Sequence, residues 1–231
     1  MLNDNQADFI FIKWVYFVVI LLIAISILHQ VGFIKDLFIS DISYISSLIL
    51  FLFIIFTIKV GLTLYHIKNT NKYLSSLLTN TTIEDLENLQ KTSDIPDNFF
   101  NKCITKHLIN SLNHTDDTTD ELNKIFEFKI TKPLEIGWLM SDLLLKLGLI
   151  GTVIGFIIML NSVTLIENFD LTMMQDLLKQ MSGGMKVALY TTLTGLITSI
   201  LLSTQYKYLE EKIYDIVCIT NENIELYLKN D

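Results

Sequence analysis

Four long apolar runs, at about residues 9–28, 44–65, 138–160 and 184–204, are separated by polar stretches. Each is near the roughly 20 residues that a helix needs to cross a hydrocarbon layer of about 30 Å. Lipid offers no partner to backbone amides and carbonyls, so the pattern predicts a helix for every run. Trp14 and Tyr16 near the start of the first run, and Tyr206 and Tyr208 after the fourth, suit interfacial aromatic belts. Lys59 falls within two turns of the end of the second run, where its stem lets the ammonium snorkel toward the headgroups.

The polar segment 66–137 is patterned for helices as well. Thr81-Thr82-Ile83-Glu84 reads as a capping box that opens a short helix to about Lys91. Pro96 suits a first helical position, and Phe99, Phe100, Cys103, Ile104, Leu108 and Leu112 then recur at helical spacing. A polar break follows over Asn113–Asp120. From about Thr119 a further stripe, Leu122, Ile125, Phe126 and Ile130, reaches Pro133 just ahead of the third span. The tail 209–231 also reads as helical.

The expected fold is therefore all-α and polytopic. Two N-terminal spans (1–65) are followed by a helical cytoplasmic insertion (66–137), two further spans (138–208) and a cytoplasmic tail (209–231).

Charge sets the expected orientation. All 17 basic residues are lysine. Twelve of them fall in 1–13, 66–137 and 207–231, whereas the short connections 29–43 and 163–183 hold only Lys35 and Lys179. The positive-inside rule counts cationic residues rather than net charge, so both termini and the long middle segment are predicted on the cytoplasmic side. A net charge of -8 without any arginine removes bidentate recognition of phosphates or base edges, and nucleic acid is not an expected partner. Cys103 and Cys218 lack metal-ligand spacing and read as ordinary thiols. The first run is too long for a signal-peptide core, and His29-Gln30-Val31-Gly32 after it does not resemble a cleavage site. No cofactor is expected.

Candidate chemistry gathers in the last two spans. On a helix, Ser141, Leu145, Gly148, Thr152, Gly155, Met159 and Ser162 fall along one face, and Gly151 and Gly155 form a GxxxG pair. In the fourth span Ala188, Thr192, Gly195 and Ser199 make a comparable face, with Thr191 and Thr194 beside it. The small residues Gly148, Gly151, Gly155, Ala188 and Gly195 are expected to pack helices closely or to face a partner. The hydroxyls of Thr152, Thr192, Thr191 and Ser199 are expected to line a narrow ion path. Neither span carries an Asp or Glu near mid-membrane, so a proton path here would need a carboxylate from another chain. Asp142 and Lys146, spaced i,i+4, are expected to pair with each other.

Gly148-Leu149-Ile150-Gly151-Thr152-Val153-Ile154-Gly155 resembles the GLLGTVxG signature of the MotA/TolQ/ExbB proton channel proteins. Gly184-Met185-Lys186-Val187-Ala188-Leu189-Tyr190-Thr191-Thr192-Leu193-Thr194-Gly195-Leu196 resembles their second signature, roughly GIxxALxxTxxGL. The likeness is strong over about residues 138–206. It implies a bacterial inner-membrane protein whose copies form a homopentamer around two transmembrane helices of a second protein. That partner would be a dimer of a single-span chain similar to MotB, TolR or ExbD, supplying the protonatable aspartate. Proton flow between ring and axle would drive rotation, with Thr152 and Thr192 matching the channel-facing threonines. Two positions depart from the pattern. Val187 stands where TolQ and ExbB carry a glutamate, and Leu145 stands where a proline is common.

Two other classes fit a polytopic chain, a small-solute transporter and a structural assembly protein. The first predicts inverted repeats and broken helices, and neither is visible. No serine-histidine-aspartate, metal or phosphate-loop constellation points to an enzyme.

Overall fold

The computed structural model describes residues 4–32, 34–35, 37, 44–80, 98–112, 119–163 and 171–230. They form α1 (Asp4–Gln30), α2 (Ile45–Asn80), α3 (Phe99–Leu112), α4 (Thr119–Val163) and α5 (Leu171–Asn230), with no strand among the described residues. The capping box at Thr81–Glu84 and most of the polar break at 113–120 lie outside them.

Four of the helices, α1, α2, α4 and α5, contain stretches long and apolar enough to cross a membrane. The chain is a polytopic α-helical membrane protein. Along α1 the stretch Phe11–Gln30 buries none of its residues, so side chains such as Ile20, Leu22 and Ile23 present an apolar surface for lipid or another chain. After Gln30 the chain leaves the helix through Gly32, whose φ of 84° lies in the left-handed region that glycine enters without steric cost.

Three helices run further than the apolar pattern alone suggests, and α2 continues past the second run to Asn80. α4 continues through Pro133, so the amphipathic stripe and the third span are one helix rather than two joined at the proline. The proline ring costs that helix one backbone hydrogen bond but does not end it. α5 likewise carries the fourth span into the C-terminal tail without a break.

The chain divides into two compact units, one of Met1–Tyr16, Lys59–Ile136 and Gln205–Asp231, the other of Phe17–Ile58 and Gly137–Thr204. In the first unit, Val60, Leu64, Ile67 and Leu74 of α2 recur at helical spacing and are buried. With them are buried Phe100, Ile104 and Leu108 of α3, Phe126, Ile130 and Leu134 of α4, and Leu209, Ile213 and Ile216 of α5. Trp14 of α1 covers Gly61 of α2 so closely that a methyl there would collide with the indole ring.

Polar contacts tie this unit together. Asn98 caps α3, accepting from the Phe100 amide through Oδ1 at 3.3 Å. Its Nδ2 donates to the His66 carbonyl at 3.1 Å and to Thr70 Oγ1 at 2.9 Å, which binds the cap to α2. His107 of α3 is buried and stacks on Phe126 of α4, with centroids 4.2 Å apart and planes 5° from parallel. Its Nε2 lies 3.2 Å from Asn221 Oδ1 of α5, an atom that can only accept, so Nε2 carries the proton. Nδ1 is left to accept from Ser111 Oγ, 3.5 Å away. Burial holds this imidazole below the usual histidine range, with the Asn221 and Asn123 side chains acting in the opposite direction.

The second unit buries Ile49, Phe53 and Phe56 of α2, Ser141 and Leu144 of α4, and a line of small and polar residues on α5.

Candidate functional site

The glycines of α4 determine how closely α5 can approach it. A methyl built on Gly148 would lie 3.1 Å from the Gly195 Cα and 3.2 Å from the Thr191 carbonyl oxygen. At Gly155 it would lie 2.7 Å from Ala188 Cβ, and at Gly151 it would overlap the Thr191 side chain. Gly195 is the reciprocal case, with the Gly148 Cα and the Leu144 carbonyl oxygen both within 3 Å of its built methyl. Gly148, Gly151, Gly155, Ala188 and Gly195 therefore meet one another, or Thr191, along a single seam inside the chain. Backbone contact of this closeness is what small residues permit in a membrane, where van der Waals packing drives helix association.

Such approach lets side chains on one helix bond the backbone of the other. Thr192 Oγ1 is 3.2 Å from the Gly148 carbonyl oxygen of α4 and 3.1 Å from that of Ala188, one turn back on its own helix. Nearer the other end, Ser141 Oγ donates to the Ser199 carbonyl at 2.9 Å, and the two serine hydroxyls are 3.4 Å apart.

The four candidate hydroxyls are not set alike. Thr191 is fully buried and donates to the Val187 and Ala188 carbonyls at 2.9 and 3.0 Å, closed off beneath Gly151. Thr192 and Ser199 are half-buried on the margin of the seam. Thr152, also half-buried, donates to the Leu149 carbonyl at 2.6 Å. The pairs Gly148–Thr192 and Gly155–Ala188 bracket Thr152. At a rise of about 1.5 Å per residue, Thr152 and Thr192 thus lie at one level to within about a helical turn.

The buried line on α5 is offset from the face drawn on its sequence. Steps through Ala188, Thr192, Gly195 and Ser199 trace one edge, whereas the buried line runs through Ala188, Thr191, Gly195, Thr198 and Leu202. On α4 it runs through Ser141, Leu144, Gly148, Gly151 and Gly155. Alternating steps of three and four residues give the 3.5-residue period of a left-handed helix pair. Thr198, which donates to the Thr194 carbonyl at 2.8 Å, and Leu144 belong to the seam and are not marked by the glycine pattern.

Asp142 and Lys146 pair on an exposed part of α4, as their spacing predicts. Among the described residues no group of three or more His, Cys, Asp or Glu side chains could hold a metal ion. Val187 is buried in the second unit.

A sequence model of the MotA/TolQ/ExbB proton channel family matches residues 91–221, more than half of the chain. The chain belongs to this family. The region shared with the MotA/TolQ/ExbB proteins takes in α3, α4 and most of α5, and so contains the whole glycine seam and its hydroxyls. α1 and α2 lie outside it. No curated protein and no solved structure matches the chain.

Proposed function

We propose that this MotA/TolQ/ExbB protein is the ring-forming subunit of a proton-motive-force-driven membrane motor. Five copies would surround the two transmembrane helices of a dimeric, single-span partner of the MotB, TolR or ExbD kind. The observation that carries the reading is the presence, in a proton channel family member, of half-buried Thr152 and Thr192 within about a helical turn of one level beside a glycine seam. Their hydroxyls, with Ser199, would line the path, while Thr191 would serve the packing beneath Gly151.

Neither 143–163 nor 177–204 contains an Asp or Glu. Hydroxyls can pass a proton but cannot store its charge, so the group that binds and releases the proton comes from the partner. The lysine distribution supports an inner-membrane orientation with both termini in the cytoplasm.

The test is the mass of the detergent-extracted complex, combined with proton flux in vesicles. Co-expression with a single-span neighbour carrying an Asp in its span gives a 5:2 assembly that conducts, and the isolated subunit does not conduct. A monomer under both conditions, or conduction by the subunit alone, overturns the reading.

A further inference from the structure

The first unit carries a cleft of about 260 Å³ between α3 and α4. Its apolar lining comes from Phe99 on α3 and from Leu122, Ile125 and Phe126 on α4. Phe99 and Ile125 are 50% and 51% exposed, so the apolar surface is open to a visitor. Lys102, Lys106 and Lys129 also line the cleft, and none of its lining residues is acidic. In a chain of net charge -8, three ammonium groups around one apolar cleft run against the average.

Size and charge together select the occupant. Sites for cofactors and drug-sized ligands usually run from about 300 to 1,000 Å³, and this cleft is smaller. Its volume suits one large side chain, the kind of anchor on which protein interfaces concentrate their binding energy. Lys106 and Lys129 call for carboxylates beside that anchor, which steer encounter and fix register. Cys103 sits among these groups. Burial pushes its thiol up, and the nearby Lys129 and Lys106 charges act against that shift.

We propose that the cleft between α3 and α4 docks an acidic segment of a soluble partner protein, with one large apolar side chain inserted and its flanking carboxylates on Lys106 and Lys129. The inference is independent of the motor reading, because it uses neither the seam nor its hydroxyls.

Cys103 reports on occupancy, and exposed Cys218, the second of the chain's two cysteines, serves as an internal reference. The full-length protein in detergent is alkylated with N-ethylmaleimide, and the rate at each cysteine is read by peptide mass mapping. The probe is a synthetic amphipathic peptide with leucines on one face and glutamates flanking them. Its controls are the glutamine counterpart and vesicles of phosphatidylglycerol.

The glutamate peptide is expected to slow alkylation at Cys103 and not at Cys218, at about a tenfold lower concentration than the glutamine peptide. K106E/K129E reverses two exposed charges, and protection should then need about tenfold more peptide. Ile125→Ser, also on the surface, should weaken protection without changing the charge. Absence of protection, equal protection by the two peptides, or indifference to both variants overturns the proposal. Protection by phosphatidylglycerol vesicles in place of the peptide also overturns it and assigns the cleft to lipid.

Discussion

Thr192 Oγ1 reaches the carbonyl oxygen of Gly148 across the α4–α5 seam at 3.2 Å, a contact that depends on the absence of a side chain at Gly148. The same hydroxyl lies 3.1 Å from Ala188 O, so its proton has an acceptor on either helix. Thr192→Val keeps the shape and removes the hydroxyl. Interhelical hydrogen bonds in membranes contribute on average about 0.6 kcal/mol, so the variant should assemble with a loss of roughly that size. Its proton flux with the partner present should drop to near the background of empty vesicles, and Thr192→Ser should retain flux. Normal flux in the valine variant would remove Thr192 from the path.

Two neighbouring kinds of glycine should respond in opposite ways. Gly155→Ala places its methyl 2.7 Å from both the Ala188 Cβ and the Ala188 backbone nitrogen, and 2.8 Å from the Gly184 carbonyl oxygen. Backbone atoms cannot swing aside, so α4 and α5 must part. Overpacking of this kind costs about 1–3 kcal/mol. Gly183→Ala meets nothing within 4 Å and lies within α5, so it should leave stability unchanged or raise it by up to about 1 kcal/mol. Thermal unfolding in detergent, followed by loss of helical circular dichroism, separates the two. Equal effects would mean that the seam is not as close as described.

The spans were legible because lipid thickness and the backbone's need for internal partners leave little choice of structure. The glycines on the seam were legible for a related reason, since clusters of helix-weakening residues in a span point to close contact. What sequence alone did not reveal was the phase of that contact. Thr191 and Thr192 are adjacent, and both fall near one face on a helical projection. Packing against α4 buries Thr191 and leaves Thr192 at the margin. Pro133 misled in another way. Its local preference argues for a boundary, yet one lost hydrogen bond costs less than ending a helix whose flanking turns bury Ile130 and Leu134. The His107 contact joins residues 114 positions apart, and no local signal encodes such a pairing.

Asn98 contributes at both ends of its side chain, so its substitutions should divide. Asn98→Ala removes the α3 cap and the two bonds to α2, leaving the Thr70 hydroxyl and the His66 carbonyl without that donor. Loss of a cap alone costs about 0.5–2 kcal/mol, and the buried position places this variant at the upper end. Asn98→Asp preserves the acceptor for the Phe100 amide but sets an oxygen against the His66 carbonyl. It should recover only part of the loss. Hydrogen exchange at the first turn of α3 provides the local readout, and equal exchange in the three proteins would refute the capping role.

His107 sets the direction of a pH dependence. Its imidazole is held below the usual histidine range in the folded chain, chiefly by burial between Phe126 and its α5 contact. The unfolded chain takes up a proton near the ordinary value of about 6.5. Above that pH both states are neutral at this site and the full stability is present. As the pH falls below it, the unfolded state binds more protons, and stability declines until the folded-state value is passed. The melting temperature of the detergent-solubilised protein should therefore fall between about pH 7.5 and 5.5. His107→Gln, which cannot titrate, should begin with a lower melting temperature, because it loses the ring stack on Phe126, and should then vary less over the same interval. An unaltered slope in that variant would mean that other groups carry the dependence, and that His107 serves the packing of the first unit without acting as its proton-linked contact.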